Sequence, residues 1–568
     1  MSKSAQVLIE TAFSRLRARA GFVERENQQQ LAYLIHDCIH ESKTGLFEAP
    51  TGLGKSLAGL IPAIACALAG KKRVVIATYT NVLAEQYWEK DLPLALELFD
   101  EVPKTAFLIG RQRYACLAAA ETHERGLDRW LEASLKLGIE TEFRASRFGQ
   151  GKAGLESWKA ILTPPVCEAR LCHKYQPCFY YSARRQAEKA EIVITNHSVV
   201  LQDALLRRAS GNDLNMLGKV DLILFDEAHD LISAAINALE FELSEAKLAS
   251  MIALASKIES ILFITAERIG ARKSLYELCE GFRHQMAVTG RNLQAYQEGL
   301  GAPGILTAKP AEIADHPAVK PRLQLSRKEI AEAISHDASV SIYTFTKDAH
   351  ALLTGWHDEE RIGEQEYTSL SESLRNYIVH MAEFGLGCSG VFDPPGSAVS
   401  YTDAKAEGAR IRSDVLDLAP ELSEVLWERI PSVCMSATLA LDGGFEFFKR
   451  VTGIRPDFEE ILPTPFDFSS QAALYLPPTG RVPDPTTARK EGIEEEYFRL
   501  VAEELSEIIK LMGGRTLALF HSRREMTEVF SRMKLPESLP ILVQRPSGVS
   551  SIGTKFRSDP ATSLFALR

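Results

Sequence analysis

The segment from Gly45 to Gly70 constrains this chain more than any other. A short apolar run, Gly45-Leu46-Phe47-Glu48, passes into Ala49-Pro50-Thr51-Gly52-Leu53-Gly54-Lys55-Ser56 and then directly into LAGLIPAIACALAG. Strand, glycine-bearing loop and helix N-terminus present backbone N–H groups and a helix dipole to phosphate oxygens. From Gly54 onward the loop fits the phosphate-binding pattern, with Ala49 where the general form has glycine. Gly52 and Gly54 let the backbone come close to phosphates, Lys55 offers a point charge to the β and γ phosphates, and Ser56 offers an oxygen to Mg²⁺. A glycine-rich turn with an accidental Gly-Lys-Ser is the bland alternative. The flanking strand and helix argue against it, and the segment reads as the core of an α/β nucleotide-binding lobe.

At 568 residues the chain exceeds what one hydrophobic core organises, so at least two core-bearing domains with insertions are expected. Its 45% hydrophobic and 25% charged residues are those of an ordinary globular protein. No run approaches the roughly 18 apolar residues of a membrane span, and the first residues carry no secretory signal pattern, so no membrane partner and a cytoplasmic location are expected. In a reducing compartment nine cysteines do not read as a disulfide framework, and their spacing matters more than their number. The net charge of −10 argues against non-specific coating of nucleic acid and leaves room only for a local basic path. Arg111 to Arg185 holds 13 Lys and Arg against 8 Asp and Glu, a bias that fits such a path or a solvated charged face equally well.

A second chemical signal lies downstream. Val220 to Phe225 is a strand-like run ending in Asp226-Glu227-Ala228-His229. Carboxylates at the C-terminal end of a buried parallel strand sit where α/β sheets bind ligands, beside the phosphate loop. Asp226 is expected to hold Mg²⁺ and Glu227 to orient and deprotonate the attacking water. An acidic helix N-terminus is the plainer reading of the tetrapeptide. Arg73 to Thr78, followed by the polar turn Tyr79-Thr80-Asn81, and Val433 to Thr438 read as further strands of the same sheet.

Taken in order, these segments resemble the motifs of superfamily 2 helicases of the DinG/XPD group. Arg25-Glu26-Asn27-Gln28 resembles the adenine-reading Q motif, Glu48 to Ser56 motif I, Thr78 to Gln86 motif Ia, Asp226 to His229 motif II, and Ser436-Ala437-Thr438 motif III. The resemblance implies ATP with Mg²⁺ as cofactor, with Gln28, Thr51, Gly52, Gly54, Lys55 and Ser56 binding the nucleotide and Ser56 and Asp226 serving the metal. The implied catalytic set is Lys55, Asp226, Glu227 and His229. In that family motif Ia touches the nucleic-acid backbone, which makes Thr80 and Gln86 candidate contacts, a plain helix cap being an equal reading of Thr80.

Between the segments like motifs Ia and II, Cys116 is followed by Cys167, Cys172 and Cys178 in a C-x₄-C-x₅-C run. This resembles the cluster ligands of DinG-type helicases and implies a [4Fe–4S] cofactor, and Ile192 to His197 resembles the strand that follows the cluster domain there. Four thiolates hold a cubane cluster or zinc, although the tight C-x₂-C knuckles common in structural zinc sites are absent. Cluster, zinc and unliganded thiols therefore stay open on the residues alone. His173 reads as a solvent-facing neighbour, and Cys38, Cys66, Cys279, Cys388 and Cys434 as buried core thiols.

Leu243 to Gln365 reads as amphipathic helices, which the resemblance turns into an arch domain. Pro463 to Phe468 and Thr516 to Ser522 resemble early parts of a second lobe, and nothing before Arg568 resembles motifs V and VI. The expected fold is α/β: two RecA-like P-loop NTPase lobes, the second incomplete, with an inserted iron–sulphur domain and a helical arch. The expected boundaries are 1–110, 185–240 and 396–440 for the first lobe, 111–184 for the cluster domain, 241–395 for the arch and 441–568 for the second lobe. The implied function is an ATP-dependent DNA helicase translocating 5′ to 3′ on single-stranded DNA as a monomeric motor, acting on forked or structured DNA or an RNA–DNA hybrid. The alternatives are an ATP- and nucleic-acid-binding module that does not unwind, and a CRISPR-associated accessory helicase of the same type.

Overall fold

A computed structural model describes residues 4–567 apart from 23–24, 165–166, 168–171, 210–214, 274, 282, 285–304, 310–344, 346, 375–397, 406–407, 545–548 and 560. The chain divides into two compact units, residues 1–465 and 466–568. Among the described residues no helix is long and apolar enough to cross a membrane.

The first unit is built on a seven-stranded parallel sheet. Its strands are β1 (Gly45–Glu48), β2 (Val74–Thr78), β3 (Thr105–Phe107), β4 (Ile192–Asn196), β5 (Leu222–Asp226), β10 (Ser432–Ser436) and β11 (Phe458–Ile461). They lie in the order β11-β1-β10-β5-β2-β4-β3. Every residue of β2, β4, β5 and β10 is buried, which is why these strands are continuous apolar runs rather than alternating ones. The order positions the site. β10 inserts between β1 and β5, pairing Glu48 with Ser436 and Met435 with Asp226. The C-terminal ends of β1, β10 and β5 are thus neighbours, although their sequences lie hundreds of residues apart.

The helix Lys55–Gly70 leaves the phosphate loop and is buried from Ala58 to Ala67. Its close approach to β5 needs Gly59, because a Cβ there would meet Leu224 Cδ2 at 2.7 Å. Gly59→Ala is expected to lower the thermal unfolding midpoint: overpacking costs about 1–3 kcal/mol, while replacing glycine within a helix returns at most about 1 kcal/mol. An unchanged or raised midpoint would show that Leu224 has room to move.

The long insertion departs from the helical expectation for 241–395. It does hold a 24-residue helix, Glu245–Arg268, and helical packing around Leu353, Trp356 and Leu370. Alongside these, β6 (Phe241–Ser244), β7 (Ile305–Lys309), β8 (Ala398–Lys405) and β9 (Gly408–Val415) form a four-stranded antiparallel sheet in the order β6-β9-β8-β7. The signal was present in β9, where apolar or small and charged residues alternate with period two in Ala-Arg-Ile-Arg-Ser-Asp-Val. The residues read as the end of the first lobe from 396 thus begin in this sheet. Much of the arch expectation, and Cys388 with it, lies outside the described residues.

The start of the second unit differs from the expected residue 441. Phe458–Ile461 pairs in parallel with β1, so the chain through Pro465 remains in the first unit. The second unit, by itself, carries the parallel strands β12 (Leu517–Phe520), β13 (Ile541–Val543) and β14 (Ser563–Leu567) in the order β12-β14-β13. Phe498, Ala502 and Ile509 of the helix Glu494–Leu511 pack with Phe520, Met526, Val529 and Phe565 to form its core.

Candidate active site

The phosphate loop reaches the helix through Gly54 at φ +90°, a left-handed conformation that a side chain disfavours. A Cβ on Gly54 would also lie 2.1 Å from Gln28 Nε2, which donates to the Gly54 carbonyl at 2.9 Å. Gln28 is buried, and its Oε1 is a buried acceptor with no hydrogen-bond donor. A side chain so placed leaves one acceptor for a ligand amino group, which an adenine supplies. Thr51 and Gly52 are exposed at the loop's tip.

Lys55 turns inward. Its Nζ lies 3.5 Å from Glu227 Oε1 and donates to the Ala49 carbonyl at 3.4 Å, with the side chain only 10% exposed. Glu227 itself stands at φ +52°, a costly backbone for a non-glycine residue, directly after the buried Asp226. Asp226 Oδ1 accepts from the Glu227 N–H at 3.0 Å, and Oδ2 accepts from the Tyr87 hydroxyl at 2.6 Å. Burial raises the Asp226 carboxyl to about 6, and the Glu227 charge pushes it the same way; the Tyr87 hydrogen bond and Lys55 oppose this. A divalent cation held beside Asp226 would favour its ionised form, so the donor set fits Mg²⁺.

Ser436, at the end of β10, connects motif-like segments far apart in sequence. Its hydroxyl donates to Glu227 Oε2 at 3.4 Å, while His229 Nδ1 lies 2.6 Å from Ser436 Oγ. A His229 that donates from Nδ1 completes a chain through the Ser436 O–H to the Glu227 carboxylate, while its Nε2 faces Asp230 Oδ2 at 3.2 Å. Glu48 Oε2 accepts from the Leu439 and Ala440 N–H groups at 2.9 and 2.6 Å, fixing the turn after β10 to the strand before the phosphate loop. Neither Glu48 nor Tyr87 was singled out by the sequence. Glu48 opens the motif-I segment directly before the glycine loop, which was a usable signal.

The segment like motif Ia is tied to the same floor. Thr80 caps the helix Asn81–Gln86, its Oγ1 accepting from the Leu83 N–H at 3.2 Å, and Gln86 is exposed. Asn196 Nδ2, at the end of β4, donates to Asn81 Oδ1 at 2.6 Å. The next residue, His197, is buried with Nε2 2.9 Å from the Asp226 carbonyl oxygen, and burial lowers its pKa to about 4. It is therefore a neutral imidazole bracing the carboxylate strand.

The four cysteines lie on loops between short helices. Cys116 precedes the helix Leu117–His123 and Cys178 the helix Phe179–Ala187. Tyr114, fully within the core, anchors this segment through its hydroxyl, which accepts from the Ile109 N–H at 3.1 Å. Burial raises the Cys178 thiol to about 11; Tyr181 and Tyr180 backbone groups lower it, whereas Cys167 and Cys116 are near enough to raise it further. Thiolates at these positions would repel one another, and a shared cation would relieve that repulsion. Among the described residues, however, no group of three or more His, Cys, Asp or Glu side chains is gathered as a metal-ligand set, and 168–171, between Cys167 and Cys172, lie outside them. His173 is solvent-facing, 66% exposed and 2.7 Å from Glu121. Cys38, Cys66, Cys279 and Cys434 are buried.

With this geometry in view, a family model described as DEAD_2 matches residues 166–248, a span that includes three of the cysteines and the Asp226–His229 tetrapeptide. The ATP-dependent DNA helicase YoaA of Escherichia coli (strain K12) is 25% identical over 565 residues, covering 95% of this chain and 78% of that protein. The ATP-dependent helicase DinG of Mycobacterium tuberculosis (strain H37Rv) is 25% identical, covering 100% of this chain and 81% of the other. A solved structure titled XPD_Helicase aligns with 96% of this chain and 80% of its own at 16% identity, with a TM-score of 0.42. The family-model match and the sequence relatives support a DinG/XPD-like helicase.

Proposed function

We propose that this chain is an ATP-dependent DNA helicase of the DinG/XPD type, hydrolysing ATP in the site between the C-terminal ends of β1, β10 and β5. The observation that carries the reading is the juxtaposition of Lys55 and Ser56 with Asp226 and Glu227 at that edge, 3.5 Å separating Lys55 Nζ from Glu227 Oε1. Gln28 accepts from the adenine amino group, and the backbone of Thr51, Gly52 and Gly54 approaches the phosphates. Lys55 places its charge on the β and γ phosphates. Mg²⁺ bound through Ser56 and Asp226 supplies neutralisation of the phosphate charge. Glu227 orients the attacking water and takes its proton, while Ser436 and His229 hold the carboxylate in place. Hydrolysis then drives movement along single-stranded DNA, 5′ to 3′, through backbone contacts of the motif-Ia segment at Thr80 and Gln86.

The partners in this reading are single-stranded and forked or structured DNA, with a cytoplasmic, monomeric motor. The test is ATP turnover with and without single-stranded DNA, together with strand separation on a 5′-tailed duplex. Turnover that ignores DNA would overturn the reading, and DNA-stimulated turnover without strand separation would favour a module that binds ATP and DNA but does not unwind.

Cys116, Cys167, Cys172 and Cys178 belong to the same proposal as ligands of a [4Fe–4S] cluster, supported by their spacing and by the electrostatic proximity of three of them. Such a cluster would supply a cross-link from Cys116 to Cys167, Cys172 and Cys178. Anaerobically purified protein is expected to carry about four iron atoms and as many sulfides per chain, and serine at any of the four positions should reduce both. One zinc and no iron would replace the cluster by a zinc site.

A further inference from the structure

We infer that Tyr87 is a positioning residue that connects the motif-Ia helix to the Mg²⁺-binding carboxylate Asp226. The inference rests on the functional reading above and adds to it a residue outside the motifs.

Tyr87 is 3% exposed, and its hydroxyl donates to Asp226 Oδ2 at 2.6 Å. A side chain from a third element thus holds the carboxylate assigned to the metal. Because the Glu227 N–H occupies Asp226 Oδ1, both carboxylate oxygens are held and its rotation is stopped.

Tyr87 stands where a regular helix passes into a wide turn. The helix Asn81–Gln86 does not continue regularly but passes through a π-helical turn, Tyr87–Asp91, into Leu92–Leu96. The Leu92 N–H bonds to the Tyr87 carbonyl, five residues back. Pro93 follows immediately, has no N–H to donate and clashes with a regular turn, which accounts for the wide turn. The wide turn ties the Tyr87 carbonyl to the Leu92 N–H, whereas the Tyr87 N–H keeps the helical bond to the Leu83 carbonyl, so the phenol leaves the regular end of Asn81–Gln86 toward the carboxylate while Gln86 faces solvent. The same short helix touches the cysteine-bearing segment, where Thr141 donates to Glu85. A nucleic-acid strand engaging the exposed face of Asn81–Gln86 would therefore act through Tyr87 on Asp226.

The test is Tyr87→Phe, which keeps the ring and removes only the hydroxyl. The Mg²⁺ concentration for half-maximal ATPase is expected to rise about ten-fold, the loss of one buried hydrogen bond to a charged group. The ratio of DNA-stimulated to basal turnover should fall, while binding of a fluorescent ATP analogue in EDTA and the thermal midpoint stay as in the unaltered chain. A general structural defect would move the last two. If the midpoint does fall, Pro93→Ala provides the second measurement: regularising the turn is expected to lower the DNA stimulation ratio with the phenol intact. Unaltered protein without DNA stimulation would sink the functional reading. Stimulated unaltered protein, with Mg²⁺ dependence and stimulation ratio unchanged in Tyr87→Phe, would overturn the role of Tyr87 alone.

Discussion

Glu227→Gln is expected to lower DNA-stimulated ATP turnover by about 10²–10⁴-fold, the usual contribution of a general base, with nucleotide affinity little changed. The substitution is isosteric, and the amide oxygen can still accept from Ser436, which now lies 3.4 Å from Glu227 Oε2. It cannot take a proton from water. The strained backbone at φ +52° is unaffected, because it is held by neighbouring main-chain bonds, including Asp230 N–H to the Glu227 carbonyl at 3.0 Å. The check is kcat for ATP with saturating single-stranded DNA, beside a titration with a fluorescent nucleotide. Turnover within about threefold of the unaltered chain would remove Glu227 from the base role; threefold is only about 0.65 kcal/mol in barrier.

Lys55→Ala should reduce kcat/KM for ATP by about 10²–10³-fold, as expected when a preorganised cation facing developing phosphoryl charge is removed. Here nucleotide affinity should fall too, since the same ammonium group meets the bound phosphates. Its side chain is nearly enclosed, so no neighbouring exposed lysine can replace it. Lys55→Arg is not expected to rescue, because a planar guanidinium presents its charge in another geometry and needs more room. Near-normal turnover in either variant would mean that the loop between Glu48 and Ser56 does not hold the reacting phosphates.

What could be read from the sequence was whatever is encoded locally. The strand, glycine loop and buried helix from Gly45 to Gly70 follow from short-range apolar pattern and from the backbone conformations that Gly52 and Gly54 permit. The same holds for the acidic end of β5, since an apolar run followed by two carboxylates needs no distant partner to be recognised. The helical reading of the long insertion departs from the structure at Phe241–Ser244 and Ile305–Lys309, because short strands take their identity from pairing with segments far along the chain.

Tertiary structure alone decided which buried runs became neighbours. β1, β5 and β10 carry similar apolar residues, and nothing within them states that β10 inserts between the other two, bringing Ser436 to Glu227 and Glu48 to the turn at Leu439. It also decided that Phe458–Ile461 joins the first unit, through pairing with β1. Tyr87 shows the reason most plainly. Its direction follows the regular count of the helix Asn81–Gln86, but its partner Asp226 stands 139 positions away, and only the folded sheet brings that carboxylate to the phenol.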